Sequence, residues 1–487
     1  MTQINSKSKP KHCGKVMLRL YIRKGTKKRK WLAVGYYCDE CSKMLKEYDR
    51  MRIGGIQEIL TNTTKLVEKV TNPKIVVLDP GFSLTKVGFA GEKKPRHIFD
   101  SAVYFTDSGE SFIQNADKTE IEKKVKKTSH IFRLVDESEE IDKSTFEIFL
   151  SHVFEKLKIK PLETAVWVVE KHFKDRFSDF LKGRLDVINN SSLPEKAKDF
   201  LRKEKICKYI NSFETAISIR RVMAEVFFNG FNISKIYFSL GEFLSLYANE
   251  QDTGVVVGIG ANSTRIIPIY ECYIISHGVS VREKGGLNVV KQLERYIQEE
   301  GIVIPDSPHE KNQMLKNIRL MSEELCYVSQ NIKEEDRKLM QSDKYVRFIN
   351  ILQDKHVKMD DIRYKSTEIL FEEEPLSILS NPGDLADAVI ESIQKCDKGL
   401  AKSLYANILL VGGGTMYEGF MERFRKSFKA KVSNHMIFNI TAKHDKLISS
   451  WIGGSMLSRS KVFEERNFWV SKAEYDDKGS SAVDRCI

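Results

Sequence analysis

Three glycine-containing turns and one carboxylate at a strand end carry most of the chemistry legible in this chain. The first turn is Asp79-Pro80-Gly81, which follows the apolar run IVVL (75–78) and leads through FSLTK into a second strand-like run, VGFAG (87–91). A tight turn between two strands exposes backbone N–H groups that can cradle a phosphate. The Asp79 carboxylate could hold a hydrated Mg²⁺, and the Lys86 ammonium could touch phosphate oxygens. The second turn lies in VVVGIGANSTRIIPIY (255–270), again strand, small-residue turn, strand. The third, LLVGGGTMYEGF (409–420), follows a strand and is expected to open the helix FMERFRKSF, whose first amides would favour an anion or a polar ligand group. Two phosphate hairpins from separate halves of a chain and a glycine-rich turn describe a nucleotide held in a cleft between two α/β domains.

A different chemistry is written into the first fifty residues. A His12-Cys13-Gly14 turn precedes a strand-like VMLRLYI (16–22), a turn RKGTKKRK (23–30), a second strand WLAVGYY (31–37) and Cys38-x2-Cys41. This is a hairpin with thiols at its open end, the geometry a zinc ribbon needs. Cys13, Cys38 and Cys41 are the candidate Zn²⁺ ligands. His12 is the nearest fourth, standing in for a cysteine that a full ribbon would carry near Pro10, although ligands at adjacent positions are sterically awkward. A bound zinc contributes ~10–16 kcal/mol to the folding of such a site, and a module of about 40 residues has little core without it. The competing reading is a small hairpin whose cysteines are incidental. Six of the eight residues at 23–30 are basic, which suits nucleic acid or another polyanion through counterion release. No base-reading signature accompanies them.

The elements that must position these groups follow from length and composition. The 487 residues are 41% hydrophobic and 30% charged, an ordinary globular composition that excludes a wholly disordered or fibrous chain. The net charge of +12 is unevenly placed. Residues 1–50 hold 14 Lys/Arg against 4 Asp/Glu, so the remaining 437 residues are nearly neutral at +2. Eight cysteines are too few for a disulfide scaffold and suggest buried thiols in a reducing compartment. With no secretory leader pattern and no apolar run of the ~18–20 residues a membrane span needs, a cytoplasmic protein is expected. Ile53, Ile56, Ile59, Leu60, Val67 and Val70 fall mostly on one helical face, and Asn72-Pro73 stops it, so 51–73 reads as a linker helix.

From residue 74 onward the chain resembles actin and the actin-related proteins. LDPGFSLTKVGFAG (78–91), ISKIYFSLGEFLSLYA (233–248), GVVVGIGANSTRIIPIYECYIISH (254–277), SEELCYV (322–328), KCDKGLAKSLYANILLVGGGTMYEG (395–419) and SWIGGSMLSRSKVFEERNFWVSKAEYD (450–476) match in order. The resemblance implies an α/β, actin-like two-domain nucleotide-cleft fold of paired RNase-H-like domains, preceded by the small zinc-ribbon-like β-hairpin domain at 1–50. About 74–246 and 451–487 would form the first half and about 247–450 the second. It implies ATP or ADP with Mg²⁺ as cofactors, beside the Zn²⁺ of the ribbon. Asp79 would take the Mg²⁺-water role, and Gly81 and Lys86 would contact phosphates. Gly260, Ala261, Asn262 and Ser263 would form the second phosphate loop. Gly412, Gly413, Gly414, Met416 and Tyr417 would line the nucleoside, with Arg319 and Glu323 on the other side of the adenosine. The family's basic adenine-stacking residue falls on Leu447, and Lys446 beside it is the available stand-in.

The departures from the family pattern are as informative. Its water-positioning glutamine falls on Gly241, its second catalytic aspartate on Gly258, and its later histidine on Arg265. A hydroxyl residue and a glycine of the first loop are replaced by Phe82 and Ser83. Removing one preorganised group typically costs ~10²–10³ in rate, and such losses do not add within one site. Hydrolysis is therefore expected to be strongly impaired while binding survives, unless the Phe82 ring blocks the turn. Glu242 would restore a water-orienting group only if the helix register slipped.

The stretch at about 101–130 is polar and lysine-rich where the family has a hydrophobic, glycine-rich filament loop. An insertion at about 174–220 is either a surface elaboration or a partner-binding surface. The expected function is a nucleotide-binding scaffold with protein partners, cytoskeletal or in a multiprotein complex. One rival is an active ATPase that forms filaments. Another is a nucleic-acid-associated protein tethered by its basic ribbon. A sugar or acetate kinase of the wider superfamily is disfavoured by WVSKAEYD and SLYAN.

Overall fold

The structure, a computed structural model, describes residues 74–106, 108–115, 128–134, 141–171, 195, 218–305, 308–341, 347–352, 355–375, 382–442, 445–460, 463 and 468–486. It also describes short strands between residues 11 and 45. The chain divides into two compact units, one of residues 1–69 with 271–273 and one of 70–270 with 274–487.

In the first unit, Lys11–His12 pairs antiparallel with Lys15–Val16. Lys30–Cys38 lies between Leu18–Lys24 and Lys43–Leu45 in an antiparallel sheet. The hairpin read from the sequence is present and carries a third strand, with Cys38 opposite Lys43. Cys13, Cys41, the expected linker helix and nearly all of the 174–220 insertion lie outside the described residues. Among the described residues no group of three or more His, Cys, Asp or Glu side chains is placed to hold a metal.

The second unit is built on two mixed sheets. The first contains β1 (Lys74–Pro80), β2 (Leu84–Phe89), β3 (His97–Asp100), β4 (Thr164–Glu170) and β5 (Lys235–Leu240). The second contains β6 (Gly254–Ile259), β7 (Thr264–Tyr270), β8 (Ile408–Val411) and β9 (Ile440–Thr441). In the first sheet β1 pairs parallel with β4 and antiparallel with β2. In the second, β6 pairs parallel with β8 and antiparallel with β7. The same unit, a hairpin whose first strand continues into a parallel array, thus occurs twice.

Burial explains why these segments are strands. β4 and β6 are buried at every position, the pattern of a sheet covered on both faces. The cover on the second sheet includes α4 (Phe420–Lys431), whose Phe420, Phe424 and Phe428 recur every four residues and join one core with Val255, Val257 and Leu410. Trp167 of β4 packs on Tyr237, Phe463 and Trp469 at ring distances of 4.8, 4.7 and 5.7 Å. The last strand, β10 (Val470–Ser471), pairs antiparallel with β5, so the chain's end returns to the first sheet.

Four more helices border the ends of these strands. α1 (Gly241–Ala248) leaves β5 directly, α2 (Gly286–Glu299) and α3 (Pro308–Leu325) follow β7, and α5 (Ser449–Leu457) closes over α1. The WIGGS sequence explains that closure. The Trp451 indole N–H donates to Val77 O at 2.9 Å. A Cβ on Gly453 would stand 1.9 Å from Leu244 O, so only glycine lets α5 approach α1 this closely. The helix expected at FMERFRKSF is present: α4 starts at Phe420, directly after Gly419 at φ +79°, and Gly413–Thr415 forms a single 3₁₀ turn before it.

Candidate functional site

In an open α/β sheet, parallel strands all end on one side, and loops at their carboxyl ends gather there. In this unit Asp79, Lys171, Gly241, Gly260 and Gly412 lie at or just beyond the ends of β1, β4, β5, β6 and β8. They surround or adjoin a cavity of about 400 Å³, within the ~300–1,000 Å³ usual for small-molecule sites.

The two hairpin turns supply backbone donors. Gly81 N–H donates to Leu84 O at 3.0 Å, and a Cβ at position 81 would lie 2.6 Å from that oxygen. Gly260 N–H closes the second turn on Ser263 O at 2.9 Å. Both glycines therefore spend their own amides on the turns. The amides of Phe82, Ser83, Ala261 and Ser263 make no hydrogen bond among the described residues, and all four residues line the cavity. The start of α2 holds the second turn in place: Gly286 N–H donates to Gly260 O at 2.9 Å and Leu287 N–H to Ala261 O at 2.8 Å. A side chain at Gly285 would come within 2.6 Å of Ala261 O, which is why this contact needs glycine.

The third turn is fixed by sterics. Gly412 sits at φ +92°, and a Cβ there would meet Ile259 O at 2.3 Å. Its N–H donates to Lys446 O at 2.7 Å, while Lys446 Nζ donates to Thr415 O at 3.0 Å. Leu447 lines the cavity beside Gly413. Across from them, Tyr417 shares a 2.8 Å hydrogen bond with Ser322 of α3, and burial pushes its phenol up. Arg319, also on α3, pairs with Glu323 at 3.1 Å and with Asp100 at 3.5 Å.

The Asp79 end is dense in charge. Asp79 is fully buried. Its Oδ1 is 2.7 Å from Lys171 Nζ, its Oδ2 is 3.5 Å from Lys86 Nζ, and Oδ2 accepts the Ser450 hydroxyl at 2.8 Å. Burial alone would raise this carboxyl, but the Lys171 and Lys86 charges with the Lys171 and Ser450 hydrogen bonds hold it down at about 2. Burial depresses Lys86, with Asp79 opposing. Beside them, Arg265 donates from Nε to Glu242 Oε1 at 2.7 Å and from a terminal nitrogen to Lys171 O at 2.7 Å. A Cβ on Gly258 would lie 3.0 Å from Glu242 Oε1, so the Glu242 carboxylate occupies room that a side chain at 258 would need.

The family model for actin matches residues 70–487. This chain belongs to the actin family. The actin family generally binds ATP or ADP with Mg²⁺, and the mixed sheets and covering helices are an actin-like α/β fold.

Among residues expected at the first two turns, Gly81, Lys86, Gly260, Ala261, Asn262 and Ser263 line the cavity. Arg319, Glu323, Gly412, Gly413 and Gly414 line it too, as do Met416, Tyr417 and Lys446. Asp79 touches Lys86, Lys171 and Ser450, which line it. Phe82 does not close the site; it forms part of a wall that still encloses the cavity. Glu242 reaches the site without any slip in register, because α1 begins at Gly241 and Glu242 is its second residue. Sequence reasoning misses Lys171, Ser450, Gly285 and Gly286. The available signals are a lysine directly after a fully buried strand, a serine opening WIGGS, and a Gly-Gly pair before a helix.

The amide turns and the lysines fit a polyphosphate. The carboxylates do not fit a hydrated Mg²⁺. Both Asp79 oxygens face protein cations or a hydroxyl, position 258 has no carboxylate, and Glu242 Oε1 is held by Arg265, which leaves Glu242 Oε2 alone, without a hydrogen-bond partner among the described residues, to meet a metal's water.

Proposed function

We propose that this chain is an actin-like nucleotide-binding scaffold protein that holds ATP or ADP in the cavity and turns it over slowly or not at all. One observation carries the reading: two hairpin turns with unspent amides, five basic side chains and the Gly412–Gly414 turn border the same cavity. In this reading the phosphates lie between Phe82-Ser83 and Ala261–Ser263, with Lys86 and Arg265 beside them. The nucleoside lies between the Gly412–Tyr417 turn and Arg319 with Glu323, and Lys446 and Leu447 edge the base. Glycine at 241 and 258 supports binding over turnover, since neither can orient an attacking water.

The head would fix location or partner contact. Cys13, Cys38, Cys41 and His12 would hold Zn²⁺, and the basic turn at 23–30 would meet nucleic acid or another polyanion. The body's partners would be proteins, cytoskeletal or in a multiprotein assembly, in the cytoplasm. Calorimetry with ATP and ADP, phosphate release, and sedimentation test this reading together. Saturable binding with background release and no pelleted polymer is expected; actin-like turnover or abundant filaments would overturn it. Deleting 1–50 should abolish salt-dependent polyanion binding and remove zinc from the purified protein.

Glu242 favours a second reading, slow hydrolysis. Its Oε2 is buried with no hydrogen-bond partner among the described residues, so it could accept from a water beside the phosphates. Glu242→Gln should then remove any residual phosphate release while leaving nucleotide affinity within about threefold.

A further inference from the structure

The geometry points to Lys171 as a built-in substitute for the divalent cation: the cavity binds a nucleotide polyphosphate as the metal-free polyanion, with Lys171, Lys86 and Arg265 as its counter-charges. This rests on the nucleotide reading above and goes further by naming the form in which the ligand binds.

Strand pairing sets the position of Lys171. β4 runs parallel to β1 with Val168 opposite Leu78, so Val169 is level with Asp79, and the residue two positions on, just beyond the end of β4, lies on the same face as Asp79. That residue is Lys171. Its ammonium lies 2.7 Å from Asp79 Oδ1, and its side chain, 23% exposed, also borders the cavity. One cation therefore touches both the buried carboxylate and the ligand space, which is what a metal bridging a carboxylate and a phosphate would do. Arg265 clamps the Lys171 carbonyl at 2.7 Å, so the lysine's backbone is held before any ligand arrives.

The balance of charge favours a bare polyanion. Lys86, Lys171 and Arg265 face Asp79 and Glu242, with Asp445 also acting on Lys86, and Arg319 and Lys446 line the same cavity. A triphosphate carries several negative charges and complements those five cations. A dication would instead have to approach Asp79 past Lys171, against like charge in a partly desolvated site. The neighbouring Glu170 cannot serve the metal in its place, because it is buried in an ion pair with Arg220. The carboxylate missing at Gly258 is matched in space by Glu242, whose Oε1 is held by Arg265 and which leaves only Oε2 open.

The test is calorimetric titration of the full-length chain with ATP, once in excess EDTA and once in excess Mg²⁺. The two dissociation constants should agree within about threefold. Lys171→Met should weaken binding in EDTA by at least about tenfold, and Mg²⁺ should recover part of that loss because Asp79 is then free to meet the metal's water shell. Lys171→Arg should keep metal-free binding. A wild-type chain that binds ATP only with Mg²⁺ overturns the inference and leaves the nucleotide reading standing. A folded Lys171→Met chain with unchanged affinity in EDTA overturns it as well, since Lys171 would then serve Asp79 alone. A folded wild-type chain that binds ATP in neither buffer removes the nucleotide reading and the inference with it. The wild-type comparison needs no variant, so it decides the matter even if Lys171→Met does not fold.

Discussion

At the Gly412–Tyr417 end of the cavity the wall is made by backbone sterics; at the Asp79 end it is made by charge. The first end keeps the glycines that the actin resemblance leads one to expect. At the second, Phe82, Ser83, Gly241, Gly258 and Arg265 stand where the resemblance leads one to expect other residue types. The difference teaches which kind of interaction tolerates substitution. A backbone atom 2.3 Å from a hypothetical Cβ permits one residue type only. A charge can be supplied from elsewhere, as Glu242 fills the room beside Gly258 and Lys171 comes to rest against Asp79.

The sharpest way to break this contrast is at the steric end. Gly412→Ala forces a side chain into φ +92° and against Ile259 O. A loss of about 4 kcal/mol in unfolding free energy is expected from urea denaturation, since strain and a backbone clash combine. A loss under about 1 kcal/mol would mean that the turn yields and that the two ends are not so different.

At the charged end Asp79→Asn leaves Lys86 buried and Lys171 half-sheltered without their carboxylate. Removing one member of a buried ionic group costs about 3 kcal/mol or more, read from the same denaturation. Restoring stability by pairing Asp79→Asn with Lys171→Met would show that charge balance, not shape, governs this end.

Acid titration gives the next effect. Asp79 is depressed from 3.8 to about 2 in the folded chain. It therefore contributes stability above the unfolded value, and that contribution is lost as pH falls through about 4 toward 2. The shift corresponds to about 2 kcal/mol. Denaturation midpoints across this window should carry this loss in the wild type and lack it in Asp79→Asn.

The smallest expected effect returns to the steric end. Lys446→Ala removes one part-buried hydrogen bond to Thr415 O and should weaken nucleotide binding by about threefold at most. A tenfold or larger loss would move Lys446 from edging the base to holding it.

Much of the fold is legible in the sequence because its signals are local. The runs IVVL, VVVGI and NILLV state a covered sheet, and each glycine turn announces its own tightness. The helix expected at FMERFRKSF starts at Phe420, after the 3₁₀ turn Gly413–Thr415 and Gly419. Lys171 cannot be singled out from sequence, because its meaning depends on the pairing of β4 with β1. Ser450 stands 371 positions from the carboxylate it bonds. Glu242 takes its place from the start of α1 and the room left by Gly258, which no local pattern states.

The amino-acid sequence by itself determined the family, the order of the strands and turns, and the absence of side chains at Gly241 and Gly258. These are properties of neighbouring residues and of backbone sterics, which act over a few bonds. Only the tertiary structure decided which charges meet. The carboxylate of β1, the lysine beyond β4, the arginine of β7 and the serine of α5 lie far apart along the chain. Electrostatic energy depends on distance through space and on burial, and both are set only once the parallel strands have brought their carboxyl ends together.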